Sequence, residues 1–549
     1  MNDGAVARGA QPTVLAAQSR MAEALRRRLE AASGEPAQLL ETHISFVLLT
    51  GRYAYKVKKA VDLGFLDFRT LPSRRHYCEE ELRLNRRFAP ELYLEVVPVT
   101  GTTEAPVLGG TGPAIEYAVK MREFAQDALA SRLVSRGSIT PAFVDELALR
   151  VAAAHGAARI DAGGGDPRVV LRYALRNFER LRAGLGDPSD VAALDALEAW
   201  TRREHDTIAP LQDQRRERGR VRECHGDLHL GNIAEVDGQP LIFDCIEFSE
   251  DLRTIDVMSD VAFLDMDFRD RGRPDLANRF RNAYLEATGD YEGLRVLRFY
   301  VVYRAMVRAM VACERARQMG PGAGADAALA ESREYLVLAQ DCAAEREPAI
   351  VVTHGFAGCG KTVSSMGFVQ RVGAVRIRTD VERKRMHNLR PTDRDPAGLA
   401  SSMYSDDVTR WVYLRVHALT RGIVGAGYPV IVDGAFLKRW QRRLFHDLAA
   451  ELRVPFAIVS FDVPQATLRA RLAARMAHGR DASDADVSVL DVQLSSYDPL
   501  DCEERLSAVR MDNDTSLAAA QSPERWAGVG ERLACQRGEG VAAGARHAG

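Results

Sequence analysis

Eight consecutive residues, Gly355-Phe356-Ala357-Gly358-Cys359-Gly360-Lys361-Thr362, constrain this chain more than any other feature. They follow the apolar run Ile350-Val351-Val352-Thr353 and lead into a helical pattern over 361–372. Glycines at this spacing allow a tight turn between strand and helix, with successive backbone N–H groups facing one point at the helix N-terminus. Further apolar strands are expected at 375–379, 430–432, 457–461 and 508–511, with helical stretches between them. That alternation predicts a parallel sheet covered by helices on both faces, the α/β architecture of a P-loop NTPase.

The chemistry of such a loop is phosphate binding. Gly355, Gly358, Cys359 and Gly360 supply the backbone cradle, Lys361 neutralises the β- and γ-phosphates, and the Thr362 hydroxyl reaches Mg2+. Cys359 inside the loop also raises the possibility of an oxidation-sensitive thiol. Arg378-Thr379-Asp380 ends the next strand, with Arg383 three residues on. This region, from about 349 to 513, resembles the small P-loop kinases, including polynucleotide 5′-kinases and zeta-toxin-like enzymes. The resemblance implies that Asp380 activates an acceptor hydroxyl. Asp433, after Val430-Ile431-Val432, fits a metal-orienting carboxylate; which of Asp380 and Asp433 takes which role stays open. Arg471 and Arg475, four apart on a helix, are candidates to reach the transferring phosphate, with Arg480 in reserve. Seven Arg or Lys residues between 371 and 390 offer a second function, a nucleic-acid face, but no interleaved aromatics accompany them.

A second phosphate-handling pattern lies upstream, His225-Gly226-Asp227-Leu228-His229-Leu230-Gly231-Asn232, followed by Leu241-Ile242-Phe243-Asp244. Phosphoryl transfer needs positioned charge rather than covalent chemistry. Asp227 can accept a hydroxyl proton, and Asn232 and Asp244 can hold metal ions. With H-G-D-x-H-x-x-N in this arrangement, residues from about 42 to 345 resemble the aminoglycoside phosphotransferase family and its choline-kinase-like relatives. The resemblance implies a two-lobed, protein-kinase-like α+β fold, with a strand lysine that holds the α- and β-phosphates and pairs with a helix glutamate. Lys56 is the chosen lysine, although Lys58 shares its strand face. Glu81 is the chosen glutamate, with Glu79 and Glu80 as competitors. No G-x-G-x-x-G lies above this site, only Gly51 in the first turn. Cys245-Ile246-Glu247 after Asp244 replaces the D-F-G of protein kinases, which argues against a protein substrate. His229 is read as bracing the loop, and Asp256 and Asp260 as its structural anchors.

Two such patterns in 549 residues imply at least two domains. The expected limits are a flexible leader over 1–18, a kinase domain over 19–345, a P-loop domain over 346–515 and a flexible tail over 516–549. The first domain should open with a helix over 21–32 and strands near 46–48 and 53–55. A helix over 75–88 and strands over 96–99 and 115–121 should follow. A net charge of −2 gives no whole-chain drive toward nucleic acid or anionic lipid. No signal peptide or apolar membrane span is evident, and eight cysteines without C-x-x-C pairs indicate no zinc site or disulfide framework. These features fit a reduced, cytoplasmic, ATP- or GTP-dependent and Mg2+-dependent bifunctional phosphotransferase acting on small-molecule hydroxyls. Two rivals stay open: a regulatory P-loop ATPase gating the first domain, and an RNA- or DNA-end kinase.

Overall fold

The computed structural model describes residues 12–64, 66–344, 347–390, 393, 405–478 and 486–538. The chain divides into two compact units, Met1–Arg271 with Phe299–Ala339, and Gly272–Arg298 with Gln340–Gly549.

The first unit opens with six strands, β1 (Gln38–Glu41), β2 (Ser45–Leu49), β3 (Tyr53–Lys58), β4 (Tyr93–Gly101), β5 (Pro106–Leu108) and β6 (Ala114–Arg122). They form one antiparallel sheet in the order β1-β2-β3-β6-β4-β5. The short edge strands β1 and β5 go beyond the four expected. Helix Leu71–Asn85 starts at Thr70, whose side chain accepts from Ser73 N–H, and carries Pro72 in its first turn. It packs Cys78 against Tyr93 and Val119 of the sheet. A helical lobe follows, interrupted by β7 (Val221–Glu223), β8 (Ile233–Val236), β9 (Gln239–Ile242) and β10 (Thr254–Asp256). β8 and β9 form a hairpin, and β7 pairs with β10.

The leader expected over 1–18 is partly structured. Helix Pro12–Ser33 begins well before residue 21, and buried Gln18 donates to Lys58 O (3.1 Å) and Glu116 Oε2 (2.7 Å). Gln18 also accepts from Ala60 N–H (2.7 Å), so this helix fixes the end of β3. A polar residue with no place in the apolar period carries that contact, and periodicity cannot see it.

The second unit contains the five expected strands, β11 (Ile350–His354), β12 (Val375–Arg378), β13 (Val430–Asp433), β14 (Phe456–Asp462) and β15 (Ala508–Asp512). All neighbours are parallel, in the order β12-β13-β11-β14-β15. The order reverses around β11, and ligands of open α/β sheets bind at the carboxyl ends of the strands at such a switch point. Two segments depart from the expected limits. Residues Leu517–Gln521, Pro523–Trp526 and Ala527–Gln536 are helical rather than a loose tail. Trp526 is fully buried there, stacked at 5.1 Å on Phe368 and donating to Ser364 O (2.9 Å). Helix Pro274–Thr288 belongs to this unit, although its sequence lies inside the range expected for the kinase domain. No helix among the described residues is long and apolar enough to cross a membrane.

Candidate active sites

In the first unit a buried ladder of alternating charge links β3 to the segment after β9. Lys56 Nζ stands 2.9 Å from Glu81 Oε1 and 2.5 Å from Asp244 Oδ1. Lys58 pairs with Glu81 Oε2 (2.7 Å) and with Glu247. Both lysines share one strand face, and Glu81 sits between them. Lys58 is fully enclosed, whereas the Lys56 side chain is 11% exposed and meets the partly open Asp244. Lys56 is therefore the lysine at the open end. Burial works against both lysine charges, but Asp244 and Glu81 hold Lys56 protonated, and Glu247 and Glu81 hold Lys58. Glu79 pairs with Arg75, and Glu80 with Arg83. Neither competes for Lys56, because the helix turns only Glu81 into the core.

Asp244 sits at φ +65°, a left-handed conformation uncommon outside glycine. Tyr93 Oη accepts its N–H at 3.1 Å, and Asn85 Oδ1 accepts the N–H of Cys245 at 2.9 Å. Phe243 N–H donates to the Asn232 carbonyl (3.0 Å), which ties the Asp244 segment to the loop that carries Asp227.

The Asp227 carboxylate is 39% exposed and braced from two sides. Asn232 Nδ2 donates to Asp227 O (2.9 Å) and Oδ2 (3.1 Å), and His229 Nε2 stands 3.4 Å from Oδ2. His229 Nδ1 accepts from Gly231 N–H (3.0 Å), so the neutral ring carries its proton on Nε2, facing Asp227. Burial alone would raise the Asp227 pKa, but His229 and then His225 hold it well below the ordinary aspartate range. His225 is itself buried, with its pKa lowered by that burial. Asp260 anchors the loop as expected, accepting from His225 N–H (2.8 Å) and Gly226 N–H (2.9 Å). Asp256 forms a buried bidentate pair with Arg215 (2.7 and 2.9 Å).

A Cβ on Gly231 would lie 2.7 Å from His229 Cε1 and 2.9 Å from Nδ1. Gly231→Ala is therefore expected to displace His229 from Asp227. It should lower the first unit's turnover by about 10²-fold with nucleotide affinity little changed; steady-state kinetics would show this.

In the second unit, Gly355, Gly358 and Gly360 have φ of +154°, +83° and +81° and carry the chain into helix Lys361–Val372. Lys361 Nζ donates to Gly355 O (2.8 Å) and Phe356 O (2.9 Å) and lies 3.4 Å from Cys359 Sγ. The Cys359 side chain turns into the core with Phe368 and Leu472, so the residue serves the loop through its backbone and its thiol is not exposed. Asp433 at the end of β13 is buried, which raises its pKa against the opposing pull of Arg376 and Arg378. Asp433 Oδ2 has no hydrogen-bond partner. A hard divalent cation suits such an orphaned carboxylate oxygen.

Asp380 is the second residue of helix Thr379–Met386, two after Arg378, whose register partner across β12 and β13 is Asp433. It is half-buried near Tyr413. Arg471 lies beside the loop, its Nη1 3.9 Å from where a Cβ on Gly360 would sit, and its Nη2 donates to Asn513 O (2.9 Å) and Thr515 O (3.2 Å). Arg475 lies in helix Gln465–His478, its side chain outside the described residues, as is all of Arg480. The basic run over 371–390 is largely internal. Arg376, Arg383 and Lys384 are buried, and Arg385 pairs with Glu382.

Residues 66–300 match the phosphotransferase enzyme family, and residues 350–500 match an AAA domain family. Uncharacterized proteins of Mycobacterium tuberculosis and Mycobacterium bovis are each 30% identical over 464 residues, covering 83% of this chain and 90% of theirs. The chain belongs to the family of these mycobacterial proteins. This chain joins a phosphotransferase-family domain to a P-loop domain. Among solved structures, a choline/ethanolamine kinase family protein from Mesorhizobium loti is 14% identical, with a TM-score of 0.36, covering 58% of this chain and 99% of that one. A gluconokinase from Sinorhizobium meliloti is 20% identical, with a TM-score of 0.26, covering 36% and 99%.

Several residues that shape the two sites carry no motif signal. Glu247, Tyr93 and Asn85 meet the first site from remote segments. Asn513 holds the P-loop by donating to Cys359 O (2.6 Å) and accepting from Ser364 Oγ (3.1 Å). A lone asparagine after a strand predicts nothing until the strand is placed beside the loop.

Proposed function

We propose that this family member is a bifunctional phosphotransferase, each unit moving the γ-phosphate of ATP or GTP to a hydroxyl of a small molecule. The observation that carries the reading is the Lys56–Glu81 pair at 2.9 Å, with Lys56 also on Asp244 and the Asp227 carboxylate braced by Asn232 and His229. Lys56 would neutralise nucleotide phosphates, and Asp227 would orient the acceptor hydroxyl and take its proton. Asn232 and Asp244 would hold Mg2+ in this unit. In the second unit the glycine loop and Lys361 would bind the phosphates, Thr362 and Asp433 would hold Mg2+, and Asp380 would serve as base. When bound, Mg2+ supplies charge neutralisation on the phosphoryl oxygens. Protein charge does the rest by position, since a loose transition state needs no covalent assistance.

The test is transfer from γ-labelled ATP into a fractionated small-molecule extract, run on wild type, Asp227→Asn and Lys361→Ala. Two labelled products, each lost in a different variant, are expected. Slow ATP hydrolysis that depends only on Lys361, with no labelled product, would defeat the two-kinase reading.

A further inference from the structure

Helix Pro274–Thr288 finishes the P-loop unit at two places that the five-stranded sheet leaves open. Asn278 Nδ2 donates to Gln370 O (3.2 Å), and Arg281 Nη2 donates to Gly373 O (2.9 Å). These carbonyls belong to the end of the P-loop helix, where no intrahelical donor is available. β12 is an edge strand, and the N–H of Arg376 donates to Asn282 Oδ1 (2.8 Å).

One turn further on, Glu286 accepts from Arg376 Nη2 (3.1 Å) and Arg378 Nη1 (3.1 Å), with its side chain 15% exposed. Burial opposes its charge, but Arg376 and then Arg378 hold its pKa below the usual glutamate value. Both guanidiniums also face the nucleotide loop. Arg376 Nη1 donates to Thr362 O (2.8 Å) and Ser365 Oγ (3.2 Å). Arg378 Nε stands 4.0 Å from Asp433 Oδ2, the carboxylate oxygen without a hydrogen-bond partner.

We propose that Glu286 is a positioning residue for the P-loop site, holding the Arg378 guanidinium back from Asp433 and so keeping that carboxylate open to a divalent cation. The inference rests on the reading of Thr362 and Asp433 as the Mg2+ ligands of a nucleotide site. Arg378 contacts Glu286, and Asp433 stands at the limit of ion pairing with it. Guanidinium and carboxylate favour direct forked contact. Removing the charge at Glu286 weakens the hold that keeps the guanidinium 4.0 Å from Asp433 Oδ2, and a guanidinium seated there occupies the lone pairs that a cation needs. A glutamate from residues 272–298, far from the loop in sequence, thereby sets the metal affinity of the loop.

The test uses the full chain and a fluorescent ATP analogue at fixed concentration, titrated with Mg2+. The signal lost in Lys361→Ala defines binding at the second site. Glu286→Gln is expected to raise the Mg2+ concentration for half-maximal binding about tenfold, a Coulombic effect of the size expected for one partly buried charge. Binding measured in EDTA should not change. The double variant Glu286→Gln/Arg378→Gln should return the midpoint to near the wild-type value. An unchanged midpoint in Glu286→Gln, or a double variant as weak as the single one, would overturn the inference. If Glu286→Gln does not fold, Arg378→Gln alone decides: its midpoint should equal or fall below the wild type, and a raised midpoint would overturn the inference. Should the wild type itself show no Lys361-dependent binding, the reading of the loop as a metal–nucleotide site falls first, and the role of Glu286 with it.

Discussion

Asp227→Asn should lower phosphoryl transfer by the first unit about 10³-fold while leaving its nucleotide affinity within about threefold. The side chain keeps its volume, and the Asn232 amide and His229 ring that brace it stay in place. What is lost is the negative oxygen that we propose orients the acceptor and receives its proton. The held-down pKa of Asp227 defines the kind of base it is. It is ionised throughout the neutral range and weakly basic, which suits proton transfer late along a loose phosphoryl-transfer path. The acid limb of the wild-type rate profile is accordingly expected below the ordinary aspartate range, and no inflection near neutrality should come from this group. Single-turnover transfer with saturating acceptor measures the loss directly. A rate within tenfold of wild type would remove Asp227 from the chemistry.

The second large effect separates two lysines that sequence pattern treats alike. Lys58→Met should destabilise the first unit by about 3–5 kcal/mol, because it leaves Glu81 short of one partner and Glu247 buried without its cation. In thermal unfolding that corresponds to a fall of about 10 °C. Lys56→Met should act in the opposite sense. Glu81 loses one of its two cations but keeps Lys58, Asp244 is partly open to water, and the fold loses less than in Lys58→Met. Transfer should nevertheless fall by about 10²-fold or more, since the phosphates lose their cation. Equal melting temperatures for the two variants, or normal transfer by Lys56→Met, would contradict this division of labour. The sign of the pH effect follows from the same ladder. Burial would raise the Glu81 pKa, but Lys56 and Lys58 lower it to about 2. Its contribution to stability is thus present above the unfolded glutamate pKa and is lost as pH falls toward 2.

The parts of this protein that short sequence runs determined are those in which the backbone itself carries the constraint. Glycine spacing fixes the P-loop, and a five-residue step from Asp227 to Asn232 fixes the loop that carries Asp227. Five apolar runs were enough to place β11 to β15, since buried parallel strands need little more than length and branched side chains. Tertiary structure decided what depends on rotation and distance. A period of two puts Lys56 and Lys58 on one face, and only the packing of helix Leu71–Asn85 turns Glu81, rather than Glu79 or Glu80, between them. Gln18, Asn513 and Trp526 lie in stretches without a motif, and their partners are 40 to 162 residues away. The membership of helix Pro274–Thr288 in the second unit is the sharpest case. Its apolar residues Leu276, Phe280 and Leu285 repeat as in any amphipathic helix, and such a stripe specifies that a face will be buried without specifying against what. Only folding brings Glu286 to Arg376 and Arg378, about 90 residues on, because ion pairs at that separation are consequences of packing and leave no local trace in the chain.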